Sequence, residues 1–251
     1  MPRHPRLLSK SGIEHVMLRG VNKQTIFRDD ADCRKFLKCL WAAQEKGGFT
    51  LHAYCLMKNH VHLLIQRGKE TVGQSVKRFG ISYAAYYNKK YDRVGHLFQD
   101  RYRSVPVETE ASYLNVIRYI MQNPVKAGIC LHAADYKWSN YRSLGENDGI
   151  ADSRMLKSIF AEEDFLEYIN QPVDDAEMDS IERGRQTDSD VVEMLKELTG
   201  VKSAEEFLKL DGEKKAEYIR RMKDRGCRYK QIAKALGVSM DQLEVMRGLK
   251  K

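Results

Sequence analysis

The chain has 251 residues, 42% of them hydrophobic and 31% charged, with a formal net charge of +8. That is enough apolar material for one substantial core and a second small domain, and no apolar run approaches the roughly 20 residues of a membrane span. The start, "MPRHPRLLSKSG", lacks the apolar middle of a signal peptide, and the five cysteines (Cys33, Cys39, Cys55, Cys130, Cys227) form no C-x-x-C pair. These features exclude a disulfide framework and a cysteine-based zinc site, and predict a soluble cytoplasmic protein with no membrane partner.

The charge is uneven. Residues 1–150 carry 24 Lys+Arg against 13 Asp+Glu, residues 151–200 carry 5 against 14, and residues 201–251 carry 14 against 8. Two basic blocks flanking an acidic one point to a polyanionic partner, nucleic acid before membrane, because no stretch with a large apolar face accompanies them.

In chain order, "IEHVMLRGVNKQTIF" (13–27) opens with a β-prone stretch. "DDADCRKFLKCLWAAQEKGG" (29–48) spaces Phe36, Leu37, Leu40 and Trp41 as a helix, with Asp at its start and two glycines at its end. "FTLHAYCL" (49–56) and "HVHLLIQ" (60–66) read as a hairpin joined by "MKN". A second helix is expected over 71–91, interrupted by Gly80, then an extended stretch over 95–108. A third helix over 109–123 is expected to stop at Pro124. The order β-α-β-β-α-β-α predicts an α+β domain with a ferredoxin-like antiparallel sheet and helices on one face. A composition shift sets the expected boundaries: a first domain over 1–146, an acidic helical connector over 147–187, and an all-α domain over 188–251.

Within the hairpin, His60 and His62 lie two apart, so both imidazoles leave one strand face, about 6.6 Å apart along the chain. Neutral imidazole is a common metal ligand, but two ligands leave a site incomplete. In "YLNVIRYIMQNPVKAG", Tyr119 and Asn123 are four apart and share a helix face. A metal held by His60, His62 and the Asn123 carbonyl could polarise a phosphodiester presented to Tyr119, whose phenol is otherwise a poor nucleophile at neutral pH. Tyr113 competes as nucleophile, but Ile117, four residues on, cannot bind metal. Taken singly, the histidines also fit two hydrogen-bonded side chains, and Tyr119 a core aromatic.

The series "YCLMKNHVH", "GHLFQDRYRS" and "YIMQNPVKAG" resembles the HUH single-tyrosine transposases, in particular the REP-associated tyrosine transposases and the transposases of small single-strand insertion sequences, over roughly residues 8–144. The resemblance implies Mg²⁺ or Mn²⁺ bound by His60, His62 and Asn123, and Tyr119 attacking single-stranded or hairpin DNA to leave a 5′-phosphotyrosine. Insertion-sequence relatives usually carry glutamine at the third ligand position, so Gln122 stands as a substitute for Asn123. The family includes both monomers and homodimers. A regulator that binds DNA without cutting is the alternative function.

For DNA contacts, "FQDRYRS" offers Phe98, Arg101 and Arg103, arginines for phosphates and an aromatic for unstacked bases, with Arg19, Lys58 and Lys126 near the motifs. Toward the end, "YKQIAKALGVSMDQLEVMRG" (229–248) resembles a helix-turn-helix. Gly237 permits the turn, Ser239 and Gln242 make a capping box, and Lys230 and Lys234 are candidate DNA contacts; a protein-interaction module is the other reading.

Overall fold

The computed structural model describes residues 9–99, 101–144, 150–160, 162–173, 188–201, 203–224 and 227–248. Four strands form one sheet: β1 (Ile13–Arg19), β2 (Thr50–Met57), β3 (His60–Gln66) and β4 (Arg103–Pro106). Their order is β2-β3-β1-β4, and every pairing is antiparallel. β1 and β2 therefore run parallel with β3 between them, the split β-α-β arrangement of ferredoxin-like folds. Of the extended stretch expected over 95–108, only Arg103–Pro106 pairs as a strand; upstream, Phe98 makes a single bridge to Gly20.

Helices α1 (Asp30–Gly47) and α2 (Val72–Lys90) cover one face of the sheet. Val16, Leu18, Leu56, Val61 and Leu63 from the strands join Phe36, Leu40, Phe79 and Tyr83 from the helices in one core. Helix α2 starts at a capping box in which Thr71 and Gln74 exchange side-chain-to-backbone bonds. It runs through Gly80 without the expected break. A Cβ at Gly80 would stand 4.0 Å from Leu18 and Phe98, so the helix lies close to its neighbours there. That packing outweighs the roughly 1 kcal/mol a mid-helix glycine costs.

Helix α3 (Glu110–Lys126) takes the opposite face, against His15 and His62. The expected sheet forms with α1 and α2 together on one side, but α3 goes to the other. The reason lies in the strands: β2 is buried at seven of its eight positions and β3 at five of seven, so both faces need cover. A bulge at His52 turns that extra residue toward Tyr113 of α3. Helix α3 also passes Pro124 instead of stopping there. So near the end, a missing N–H removes only the bond to Ile120; Ala127 N–H still reaches the Asn123 carbonyl, and the chain turns out at Gly128 (φ 67°).

The free edge of β2 is occupied by the chain that follows α3. Leu56 N–H donates to the Trp138 carbonyl at 2.8 Å, Tyr54 N–H to Asn140 Oδ1 at 2.8 Å, and Asp152 N–H to the Leu51 carbonyl at 2.7 Å. Two short helices follow, α4 (Arg154–Ile159) and α5 (Glu162–Asn170), with Leu156, Phe165 and Ile169 buried.

The chain divides into two compact units, residues 1–108 with 113–173, and residues 174–251 with 109–112. The first part of the stretch expected as a connector is thus grouped with the first unit; residues 174–187 lie outside the described ones. The second unit holds α6 (Asp188–Thr199), α7 (Ala204–Leu208), α8 (Gly212–Asp224), α9 (Tyr229–Leu236) and α10 (Met240–Met246) around Val191, Phe207, Ile219, Ile232 and Leu243. Among the described residues no disulfide forms, and no helix is long and apolar enough to cross a membrane.

One polar cluster ties α1 to α2. Asp29 Oδ1 accepts from Asp32 N–H at 3.0 Å and Asp32 Oδ2 accepts from Arg28 N–H at 2.8 Å, so the first turn is capped from both sides. Buried Asp32 also accepts from Lys90 Nζ at 2.7 Å and the Tyr91 hydroxyl at 2.8 Å. Burial alone would raise this carboxyl, but the donors outweigh it and hold it below the ordinary range. A depressed carboxyl contributes stability that is full above its unfolded pKa of about 4 and is lost as pH falls through its folded value. Urea unfolding should accordingly show wild type losing more stability than Asp32→Asn between pH 7 and pH 3. At pH 7, Asp32→Ala should cost about 1–3 kcal/mol.

Candidate active site

The register of β1 against β3 sets Met17 opposite His62 and Arg19 opposite His60. Residues opposite one another share a face, as do residues two apart on one strand. His15, Met17, Arg19, His60 and His62 therefore all stand on the α3 side. Four aromatic rings meet there. The His60 and His62 centroids are 4.9 Å apart, those of His62 and Tyr119 5.3 Å, those of His15 and Tyr119 5.5 Å, and those of His15 and His62, whose planes are 22° apart, 5.2 Å. The two motif histidines and the favoured tyrosine are thus brought together from β3 and α3.

The proton positions follow from the partners. Asn59 Oδ1, 2.6 Å from His60 Nδ1, can only accept, so that nitrogen carries a proton. His62 Nδ1 lies 3.0 Å from His15 Nε2, and His62 Nε2 is buried with no hydrogen-bond partner. Burial, with the Arg103 charge second, lowers His15 to about 3; burial, then His15 and His60, holds His62 well below the usual range. Both rings are neutral at physiological pH, the form that can ligate a cation.

Asn123 is one turn beyond Tyr119 on α3, and its Nδ2 donates to the Tyr119 carbonyl at 2.8 Å. The amide oxygen is the end not spent on that bond. Gln122 points elsewhere, its Nε2 donating to the Ile169 carbonyl of α5 at 2.7 Å. Tyr113 bonds His52 at 3.2 Å, and burial, with Asp152 adding to it, pushes its phenol above the usual range. Among the described residues no three His, Cys, Asp or Glu side chains form a metal-holding group. An ion at His60 and His62 has to complete its shell with an amide, a substrate oxygen or water. The unsatisfied His62 Nε2 fits such an ion, with the His60 ring beside it. Tyr119 itself is fully buried, so a phosphodiester meets its hydroxyl only once neighbouring groups move.

The expected DNA contacts divide. Arg19 and Arg103 are exposed and flank Met17 and His60 on the site face. Lys58 is exposed at the hairpin turn, and Lys126 is exposed in the last turn of α3. Arg101 is exposed but lies outside β4, so no strand alternation aligns it with Arg103. Phe98 is half-buried against the α1–α2 core, 6.3 Å from the Tyr83 ring, on the wrong side to stack a base at this site. In the second unit Lys230 is exposed, whereas Lys234 is paired with Asp188 at 2.6 Å.

Residues 9–123 match the family model described as "Transposase IS200 like", ending on Asn123. Over those residues the chain is similar to the IS200-like transposases. Among solved structures, one described as "Structure of the REP associates tyrosine transposase bound to a REP hairpin" is similar in fold, at 14% identity and a TM-score of 0.52, covering 69% of this chain and 93% of that one. No curated protein matches the chain.

Within residues 9–123, His15 is not among the residues that the sequence motifs single out. Its signal was a histidine on the same alternation as Met17 and Arg19 in "IEHVMLR", but only the β1–β3 register makes it a neighbour of His62. The geometry also separates Gln122 from Asn123. Gln122→Leu, which strips the donor from the Ile169 carbonyl, should lower stability by about 1–2 kcal/mol in urea unfolding and leave Mn²⁺ affinity unchanged.

Proposed function

We propose that the first unit is a metal-dependent single-stranded DNA endonuclease and strand transferase, acting on hairpin or repeat DNA through a 5′-phosphotyrosine at Tyr119. The observation that carries this reading is the meeting of the Tyr119 ring with His62, whose Nε2 is buried and unsatisfied. The family match and the hairpin DNA named for the similar structure support it.

In this reading Tyr119 gives up its phenolic proton and attacks a phosphorus. The bond to the 3′ oxygen breaks, the 5′ side stays on Tyr119, and the 3′ oxygen takes up a proton. An incoming 3′ hydroxyl reverses the sequence, so rejoining needs no ATP. Mg²⁺ or Mn²⁺ at His60, His62 and the Asn123 carbonyl would supply Lewis-acid polarisation of the phosphodiester. Arg19 and Arg103 hold flanking phosphates, with Lys58, Lys126 and Arg101 at the margin. Because Tyr119 is buried, DNA binding includes displacing the groups that cover it. The second unit adds a DNA contact in which exposed Lys230 does more than Lys234, already bound to Asp188.

Incubation with single-stranded hairpin DNA and Mn²⁺ should give wild type a covalent adduct that survives denaturing electrophoresis. Tyr119→Phe should lose it by about 10³-fold or more. Cutting that persists in Tyr119→Phe would point to water as nucleophile and sink the reading, and hairpin binding without cutting by wild type would make the protein a regulator.

A further inference from the structure

The third histidine is more deeply buried than either motif histidine. His15 has no exposed surface, and its hydrogen bond is to His62: Nε2 to Nδ1, 3.0 Å. Its other nitrogen, Nδ1, is buried with no partner. Placing an imidazole here costs the desolvation of two polar nitrogens and leaves one unsatisfied.

A 3.0 Å contact between two ring nitrogens needs one to donate and the other to accept, and the choice decides what His62 can do. If His15 donates, His62 Nδ1 is the acceptor and its proton sits on Nε2, which then has no lone pair to offer. If His62 Nδ1–H donates, His62 Nε2 is bare and faces the site as a ligand, while His15 carries its own proton on Nδ1. The two rings lie end to end and nearly coplanar, centroids 5.2 Å apart and planes 22° apart, so this in-plane hydrogen bond also fixes the direction in which His62 points. His60 is set in the same way by Asn59, whose oxygen takes the Nδ1 proton.

We propose that His15 is a positioning residue for the metal site: by accepting from His62 Nδ1 it fixes the tautomer and aim of the imidazole that ligates the ion. The proposal rests on the reading of His60 and His62 as metal ligands. It assigns to a neutral imidazole the part that a carboxylate or carbonyl often plays behind a ligating histidine. An accepting nitrogen plays this part without placing a formal charge in a fully buried position.

The test measures Mn²⁺ affinity, by calorimetry or by the free-ion resonance signal, for wild type, His62→Ala, His15→Leu and His15→Gln. The glutamine places an oxygen where His15 Nε2 stood. The expected order is wild type close to His15→Gln, with His15→Leu weaker by about 10–100-fold. His15→Leu binding as tightly as wild type, with His62→Ala weakened, overturns the proposal and leaves the metal site standing. Equal binding by wild type and His62→Ala overturns the metal site and the proposal with it. Should His15→Leu not fold, the long-range ¹H–¹⁵N spectrum of ¹⁵N-histidine-labelled wild type decides. The proposal requires His62 protonated at Nδ1 and bare at Nε2, and a proton on Nε2 refutes it.

Discussion

The pairing of β1 with β3 is the constraint on which the rest depends. With Met17 opposite His62, three histidines and two arginines come out on one face, and Val16, Leu18, Val61 and Leu63 on the other. A slip of one residue would send the imidazoles into the α1–α2 core and the aliphatic set toward α3. The apolar core therefore enforces the site: the burial that seats these aliphatic side chains under α1 and α2 also fixes where His15, His60 and His62 stand. Helix α3 is drawn to the second face by the same force, and it brings Tyr119 with it.

How much of this the sequence discloses depends on the range of the interaction. The hairpin 50–66, the caps of α1 and α2, and the pairing of Tyr119 with Asn123 on one face all rest on contacts within a few residues, and alternation and spacing made them legible. The side of the sheet taken by α3 did not follow from its own pattern; it followed from strands apolar on both faces. Gly80 and Pro124 were read as breaks because local propensity was weighed without the packing that overrides it. Phe98 was read as a stacking group because an aromatic beside arginines suits DNA, but its ring belongs to the core under α2. His15 was invisible for a different reason: it joins the site across 47 residues of chain, and only the non-local register makes it a neighbour of His62.

The site is built from groups that water does not reach. His15, His62, Asn123 and Tyr119 are all buried; His15 Nε2 pairs with His62 Nδ1 and Asn123 Nδ2 with the Tyr119 carbonyl, while His15 Nδ1 and His62 Nε2 have no partner. Such a setting favours neutral imidazoles and strengthens any charge interaction formed inside it. It also separates holding from reaching. Arg19, Arg103 and Lys58 stand at the surface while Tyr119 stays covered, so in the proposed reaction engagement of DNA and exposure of Tyr119 are distinct events.

The bulge at His52 has an implication for chain length. Because the extra residue makes the distance from Leu51 to Tyr54 three positions instead of two, it resets which side of the sheet each half of β2 faces. Removing one residue there would not shorten a loop; it would invert the orientation of everything on one side of the cut, placing either Leu51 or the Tyr54–Leu56 pair away from the α1–α2 core. Strand β2 is thus a segment whose length is counted by parity, whereas the stretch from Asp92 to His96, which forms neither strand nor bridge, is free of that arithmetic. Insertions and deletions among relatives of this domain should be found in the second kind of segment and not in the first.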